Sequence, residues 1–141
     1  MKPESAKFIE QAHIVIARAD LMLTVKLNED AARAAYLASF HVAQAYIFER
    51  TGKTSKSHNG VQTEFFRLTR DDARVDPLLR RFLSQAYEFK SVADYFTGAE
   101  AVTSATQAAE AVVTSKRFIA HFAGLAPFPA AGPDAESSEA T

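Results

Sequence analysis

The stretch from Ala31 to Val61 constrains the fold more than any other part of the chain. Its first two thirds read AARAAYLASFHVAQAYIFERT and predict one helix with small or apolar side chains on nearly every side. A helix that is apolar all round has to be covered by neighbouring helices, so we expect it at the centre of a bundle. Its polar residues Arg33, His41 and Gln44 must then bond to one another or face a cleft.

Hydrophobic periodicity and helix-end residues predict four to five helices in the whole chain. They are a first over residues 4–26, a second from an N-cap at Asn28 to about Thr51, a third from Ser57 or Asn59 to about Thr69, a fourth from Pro77 to about Phe96, and a fifth from Thr103 or Ser104 to about Phe122. Residues 70–75, RDDARV, are predicted to form a solvated loop. The connections are short and no segment has the pattern of a strand hairpin. The predicted fold class is therefore an all-α antiparallel bundle.

The domain organisation follows from the length and from a change in composition near the end. The 141 residues are enough for one domain with one core. We assign the bundle to residues 1–124. Residues 125–141, LAPFPAAGPDAESSEAT, are rich in Pro, Ala, Ser and acidic residues and lack periodicity, so we expect a disordered tail.

Composition excludes several classes of function. The formal net charge of −1 gives no global indication of a nucleic-acid partner, and the absence of cysteine excludes disulfides and thiolate chemistry. The four histidines are not spaced as metal ligands, so we expect neither a metal nor a cofactor. No apolar run approaches the roughly 18 residues of a membrane span, and no secretory signal is visible. We expect a cytoplasmic protein without membrane association.

His41 is the first candidate site residue. Positions 33, 37, 41 and 44 lie roughly along one face of the second predicted helix, which would place His41 at the edge of a nucleotide or RNA cleft. The alternative is a core histidine that bonds to a neighbouring helix.

The turn TGKTSKSHNG supplies further candidates. Lys53, Lys56 and His58 stand among hydroxyl groups just before the third predicted helix, whose free N–H groups can bind phosphate. The turn is not a P-loop, because the Gly-x4-Gly-Lys-Ser/Thr pattern is absent. The alternative is a solvated loop in which Ser57 and His58 only cap the helix.

Lys90, Asp94 and Tyr95 form the last candidate group. Lys90 and Asp94 are four residues apart on the fourth predicted helix and can pair on one face. The alternative is an ordinary surface ion pair, which contributes little to stability. A modest excess of basic residues between positions 50 and 81 gives weak support for a phosphate or RNA partner.

Three motifs occur in the order of a known family. They are Phe40-His41, the segment Ser57-His58-Asn59-Gly60-Val61, and Lys90-x-x-Ala93-Asp94-Tyr95. Over about residues 5–122 the chain resembles the HEPN domain family (higher eukaryotes and prokaryotes nucleotide-binding), in its small stand-alone bacterial branch.

The resemblance implies a bundle of four or five helices that is usually dimeric. Family members include nucleotide- or RNA-binding modules and metal-independent ribonucleases of toxin–antitoxin and defence systems, many encoded beside a minimal nucleotidyltransferase antitoxin. The resemblance therefore implies a module that binds nucleotide or RNA phosphate, or such a nucleotidyltransferase, in the cleft between the second and fourth helices. The alternatives are an endoribonuclease toxin and a non-catalytic dimerisation module.

The ribonuclease motif of the family is not matched. Ribonuclease members carry Arg-x(4–6)-His, in which arginine grips phosphate and histidine helps the 2′-hydroxyl attack. Here Lys90 and Tyr95 stand where that pair is expected, and no arginine and histidine of the chain have the required spacing. Tyrosine, with a reference pKa of about 10, is a poor general base near neutrality. We therefore assign no catalytic residue from the sequence.

Overall fold

The computed structural model describes residues 1–95 and 102–128. They form five helices, α1 (Pro3–Thr24), α2 (Asn28–Thr51), α3 (His58–Arg70), α4 (Pro77–Tyr95) and α5 (Ala105–Gly124). This part of the chain contains no strand, which confirms the predicted all-α class. Within it, no helix is long and apolar enough to cross a membrane. The predicted end of the fourth helix at Phe96 lies outside the described residues.

Helix α2 is the centre of the bundle and packs against each of the other four helices. From Ala31 to Ile47 every residue is buried except Arg33, Leu37 and His41, which are partly exposed and follow one another at four-residue intervals. That interval keeps the three side chains on one face of the helix. Arg33 and His41 of the polar set expected from the sequence are thus partly exposed, whereas Gln44 is buried and bonds to His41.

Small side chains allow α2 and α5 to approach each other closely. The Ser115 hydroxyl donates to the carbonyl oxygen of Ala35 over 2.7 Å, and the Ser39 hydroxyl lies 2.9 Å from the Ser115 oxygen. Because the Ser115 proton is used on Ala35, Ser39 is the donor to Ser115. Both serines are fully buried, and this chain of bonds satisfies their hydroxyl groups.

The predicted helix ends are largely confirmed. Gly52 follows α2 with a left-handed φ of 71°, Ser57 accepts from the Gly60 amide, Asp76 accepts from the Leu78 amide, and Ser104 forms a capping box with Gln107. The N-cap assigned to Asn28 was wrong. Asn28 is already helical, and the N-cap residue Leu27 offers no side-chain oxygen to the first turn.

The segment 70–75 was wrongly predicted to be a solvated loop, because Asp72 and Val75 are buried. The Tyr46 hydroxyl donates to Asp72 over 2.8 Å, and the Arg74 guanidinium donates to both oxygens of the same carboxylate. The Arg74 hydrogen bonds, helped by the Tyr46 hydroxyl, lower the pKa of Asp72 to about 2. Burial, helped by the Asp72 carboxylate, raises the pKa of Tyr46 to about 12.

The described chain continues four residues beyond the expected boundary at residue 124. Phe128 is fully buried, its ring lies 6.0 Å from that of Tyr46, and its carbonyl oxygen accepts from Arg74 over 3.0 Å. The segment that follows α5 is therefore tied to α2 and to the α3–α4 connection. The rest of the expected tail, residues 129–141, lies outside the described residues.

Candidate functional site

A cluster of charged and aromatic side chains lies where α2, α3 and α4 meet. At its centre the Asp94 carboxylate on α4 is shared between two cations. The Arg33 Nε of α2 lies 2.7 Å from one oxygen, and the Lys90 Nζ lies 2.7 Å from the other. The hydrogen bond from Lys90 lowers the pKa of Asp94, and the same bond raises the pKa of Lys90. All three groups are therefore charged near neutral pH.

Lys90 is not the exposed surface lysine that its sequence position suggested. The residue is only 8% exposed, and the Asp94 and Arg33 side chains are 25% and 38% exposed. The predicted pairing of Lys90 with Asp94 is confirmed, but the pair is part of a partly buried triad with Arg33. An ion pair removed from solvent is screened less by salt than a surface pair.

His58, the first residue of α3, packs beside this triad in a pocket of aromatic rings. Its ring centroid lies 4.4 Å from that of Phe40, 5.6 Å from that of Tyr36 and 5.8 Å from that of Tyr87. The imidazole is half-buried. Burial and then the positive charges of Lys90 and Arg33 lower the pKa of His58, so the ring is neutral at pH 7.

A short chain of hydrogen bonds fixes which nitrogen of His58 carries the proton. The Gln62 amide nitrogen donates to the Tyr36 hydroxyl over 3.4 Å, and that hydroxyl lies 2.8 Å from His58 Nδ1. Because the Gln62 nitrogen can only donate, the Tyr36 proton points at Nδ1, which accepts it. The proton of the neutral ring is therefore on Nε2, as the hydrogen-bond network assigns it.

The structure brings together four of the residues proposed from the sequence. It places His41 next to them, with its ring centroid 5.8 Å from that of Phe40, and separates Lys53 and Lys56. His58, Lys90 and Asp94 share the cluster, and the exposed Tyr95 ring lies 5.2 Å from Lys90 Nζ.

His41 is half-buried and its Nδ1 lies 2.9 Å from the Gln44 side-chain oxygen on the same helix, not on a neighbouring one. Lys53 lines a separate pocket. Lys56 is exposed and makes no hydrogen bond or ion pair within the described part of the chain.

Three residues of the cluster were missed by the sequence analysis, namely Tyr36, Gln62 and Tyr87. Helical spacing could have found all three, since Tyr36 precedes Phe40 by four positions and Tyr87 precedes Lys90 by three. Gln62 likewise follows His58 by four. None of the three carries a charge, so charge pairing gave no reason to select them.

Within the described residues, no group of three or more His, Asp or Glu side chains is placed to hold a metal ion. The cluster instead offers two cations, one carboxylate, one imidazole N–H and an exposed aromatic ring. Such groups bind anionic ligands by charge and hydrogen bonding.

Fold and cluster define a small helical bundle with a polar cleft beside its central helix. The model of the HEPN domain matches residues 5–124, which include all five helices. The chain belongs to the HEPN family. A comparison with curated proteins finds no match.

Proposed function

We propose that the protein binds the phosphate group of a nucleotide or of RNA in the cleft between α2 and α4. The observation that carries the proposal is the Asp94 carboxylate shared by Arg33 and Lys90, because two cations against one anion leave a net charge of +1 beside the neutral His58. A phosphate can meet this excess charge without displacing the carboxylate. The low exposure of Lys90 reduces solvent screening of the contact.

The other side chains of the cluster have separate roles in this proposal. Neutral His58 donates its Nε2–H to a phosphate oxygen, because its Nδ1 is occupied by Tyr36. Asp94 holds both cations in place. Tyr95 is 70% exposed and presents a ring on which a base can stack.

The test is to replace Lys90 and a matched control lysine. Lys116 also pairs with an aspartate, Asp20, at 2.8 Å, but on α5 and α1. We expect Lys90→Gln to weaken binding of AMP and of a short RNA, measured by calorimetry, by about tenfold, as for loss of one charged hydrogen bond. The slope of log affinity for RNA against log salt should fall by about 0.7. Lys116→Gln should change neither.

Equal effects of the two lysine variants would contradict the proposal, since only general electrostatics would then be at work. Circular dichroism and thermal unfolding distinguish lost binding from lost folding. If Lys90→Gln unfolds the protein, Arg33→Gln, on the partly exposed end of the triad, provides the same test.

We also propose that the protein works in a toxin–antitoxin or defence pair with a minimal nucleotidyltransferase, and that it forms a homodimer. The resemblance of its motifs to the small bacterial branch supports the pairing, and HEPN domains commonly dimerise. Co-expression with the product of the neighbouring gene, followed by affinity capture, tests the pairing. Failure to co-purify with a nucleotidyltransferase encoded there would contradict it.

Metal-independent RNA cleavage is the second candidate function, and one observation favours it. Arg33 and His58 are 25 positions apart in sequence, yet the charge of Arg33 acts on the His58 ring within one cluster. An arginine and a histidine thus belong to one cluster, Arg33 through Asp94 of α4 and His58 through Tyr36 of α2, although the sequence motif is absent. Incubation with RNA in EDTA tests this function. Cleavage that His58→Ala and Arg33→Ala both abolish would support it, and intact RNA would exclude it for the RNA used.

A further inference from the structure

A second pocket lies away from the Lys90 cluster, at the other end of α2. It has a volume of about 380 Å³ and is formed by the last turn of α2, the α2–α3 connection and one face of α3. Its lining residues are Ile47, Thr51, Lys53, Thr54, Ser55 and the ion pair of Glu64 with Arg67.

The charges of the pocket favour an anion. Lys53 and Arg67 contribute two positive charges and Glu64 one negative charge, which leaves a net charge of +1. Arg67 donates to Glu64 through Nε and one terminal nitrogen, and its second terminal nitrogen has no partner among residues 1–95 and 102–128. The Lys53 ammonium makes no hydrogen bond or ion pair to any residue of the described chain.

Two of the three hydroxyl groups of the pocket, those of Thr54 and Ser55, form only long hydrogen bonds. The Thr54 hydroxyl donates to the Ser55 carbonyl over 3.4 Å, and the Ser55 oxygen lies 3.3 Å from both the Ser57 hydroxyl and the Ser57 amide. These distances are near the limit for a hydrogen bond, so a stronger acceptor can take over the Thr54 and Ser55 protons. Charge-assisted bonds to an oxyanion are shorter and stronger.

The Thr51 hydroxyl and the missing side chain at Gly60 together determine the position of the segment that carries Thr54 and Ser55. The Thr51 hydroxyl accepts from the Lys53 amide over 3.1 Å and donates to the Ile47 carbonyl over 2.9 Å. A side chain at Gly60 would come within 2.3 Å of the Ser55 hydroxyl, so the glycine leaves the space that Ser55 occupies. The pocket is thus shaped on the side of α2 and on the side of α3.

We infer that this pocket is a second phosphate-binding site, in which Lys53 and Arg67 supply the charge and Thr54 and Ser55 donate hydroxyl protons. The chemical class of the ligand is a phosphate group, either free or carried by a nucleic-acid strand. Ser55 in this pocket and His58 in the Lys90 cluster are three residues apart, so their Cα atoms lie within about 11 Å of each other. The two sites are therefore neighbours along the chain, and a strand that binds at His58 passes near this pocket in the proposal.

The test uses two neighbouring lysines as variant and matched control. Lys53 lines the pocket and Lys56 does not, although both lie in the same turn and removal of either changes the net charge equally. Inorganic phosphate is titrated into the full ¹⁵N-labelled chain, and the amide signals of residues 51–55 are followed. We expect saturable shifts, about fivefold weaker affinity in Lys53→Gln, and less than a twofold change in Lys56→Gln.

Shifts that do not saturate, or equal losses in the two lysine variants, would overturn the inference. The amides of residues 51–55 report on the pocket itself, so the phosphate affinity that they give is independent of binding at Lys90. Lys90→Gln should therefore leave this affinity unchanged.

Comparison of AMP with the dinucleotide pApA identifies the source of the phosphate. A gain in affinity for pApA that Lys53→Gln removes indicates a strand that spans both sites. A phosphate response that depends on Lys53 without such a gain indicates a free phosphate ligand.

Discussion

Among the described residues, the His58 ring forms a hydrogen bond through one nitrogen, Nδ1, and this bond limits its chemistry. With Nδ1 accepting from Tyr36, the neutral ring offers only a donor at Nε2. A histidine in this state can bind a phosphate oxygen, but it has no free nitrogen lone pair with which to take up a proton. In RNA cleavage, the second candidate function, His58 can therefore act as a base only when Tyr36 releases Nδ1.

Removal of the Tyr36 hydroxyl should release this restraint. In Tyr36→Phe the buried ring remains but Nδ1 loses its donor, so we expect a mixture of the two neutral tautomers and a loss of about 1 kcal/mol of stability. The ¹⁵N shifts of the His58 ring at pH 7.5 measure the tautomer. Tyr87→Phe is the control, because the Tyr87 hydroxyl makes no hydrogen bond within the described residues. Persistence of the Nε2–H form in Tyr36→Phe would contradict the assignment.

The sequence predicted only part of the cluster, and the reason is the separation along the chain. Lys90 and Asp94 are one helical turn apart, so the helix alone brings them together. Arg33 is 61 positions from Asp94, and their contact depends on how α2 and α4 cross. Tyr36 and His58 meet for the same kind of reason, through the packing of α3 on α2.

At the scale of elements, the hydrogen bonds of one buried carboxylate, Asp72, fix the position of the α3–α4 connection. The Asp72 carboxylate accepts from Tyr46 of α2 and from Arg74, and Arg74 in turn donates to the Phe128 carbonyl. One carboxylate thus ties the connection to the central helix and, through Arg74, to the end of the described chain. A local pattern such as RDDARV gives no indication of partners that lie 26 and more positions away.

Asp72→Asn tests this connection. The pKa of Asp72 is lowered from 3.8 to about 2, so its charged form favours the folded state. We expect the variant to lose about 1 to 2 kcal/mol of unfolding free energy at pH 7, measured with urea. Because the folded pKa is lowered, this contribution is complete above pH 4 and disappears as the pH falls through about 2. The difference between wild type and variant should therefore shrink between pH 4 and pH 2.

Asp71→Asn is the matched control, since the neighbouring carboxylate is 81% exposed. A variant at position 72 that is as stable as this control, or a difference that does not depend on pH, would show that the buried network contributes nothing.

Helix ends were predicted well where one residue decides them, as Gly52, Ser57, Asp76 and Ser104 do. Proline at the first position of α4 and glycine after α2 act through their own backbone preferences, which need no tertiary contact. The N-cap prediction for Asn28 was wrong because a capping residue lies just outside the helix. Here α2 begins at Asn28 itself.

At the scale of the whole molecule, α1 has an apolar face that no described residue covers. Ile14 and Leu21 are 39% and 68% exposed and lie seven residues apart on one side of the helix, and Val25, just after its end, is 65% exposed. This is the surface at which we expect the proposed homodimer to form. Leu21→Glu should weaken the dimer at least tenfold in sedimentation equilibrium, because it places a charge in an apolar contact. Val113→Glu, on an exposed face of α5, is the control.

A wild-type protein that is monomeric at micromolar concentration would contradict the homodimer. A dimer that Leu21→Glu leaves intact would assign its interface to another face.

Truncation tests where the residues needed for folding end. Deletion of residues 129–141 should leave the thermal midpoint unchanged, since their composition offers no apolar periodicity to bury. Phe128→Ala in the full chain should cost about 3 kcal/mol, because the ring is fully buried. Differential scanning calorimetry measures both variants. A large loss in the deletion, or none in Phe128→Ala, would place the boundary elsewhere.

The central position of α2 determines how hydrogen exchange will proceed in this protein. Its middle is covered on almost every side, so no single neighbouring helix can detach and expose all its amides to solvent. Amides from Ala34 to Ile47 should therefore exchange only when the whole bundle opens, and their protection factors should all report the global free energy of unfolding. A ligand that binds only the native state should raise all these protection factors by the same ratio. The exchange rates of a few α2 amides can therefore measure the affinity of the ligand for the native state.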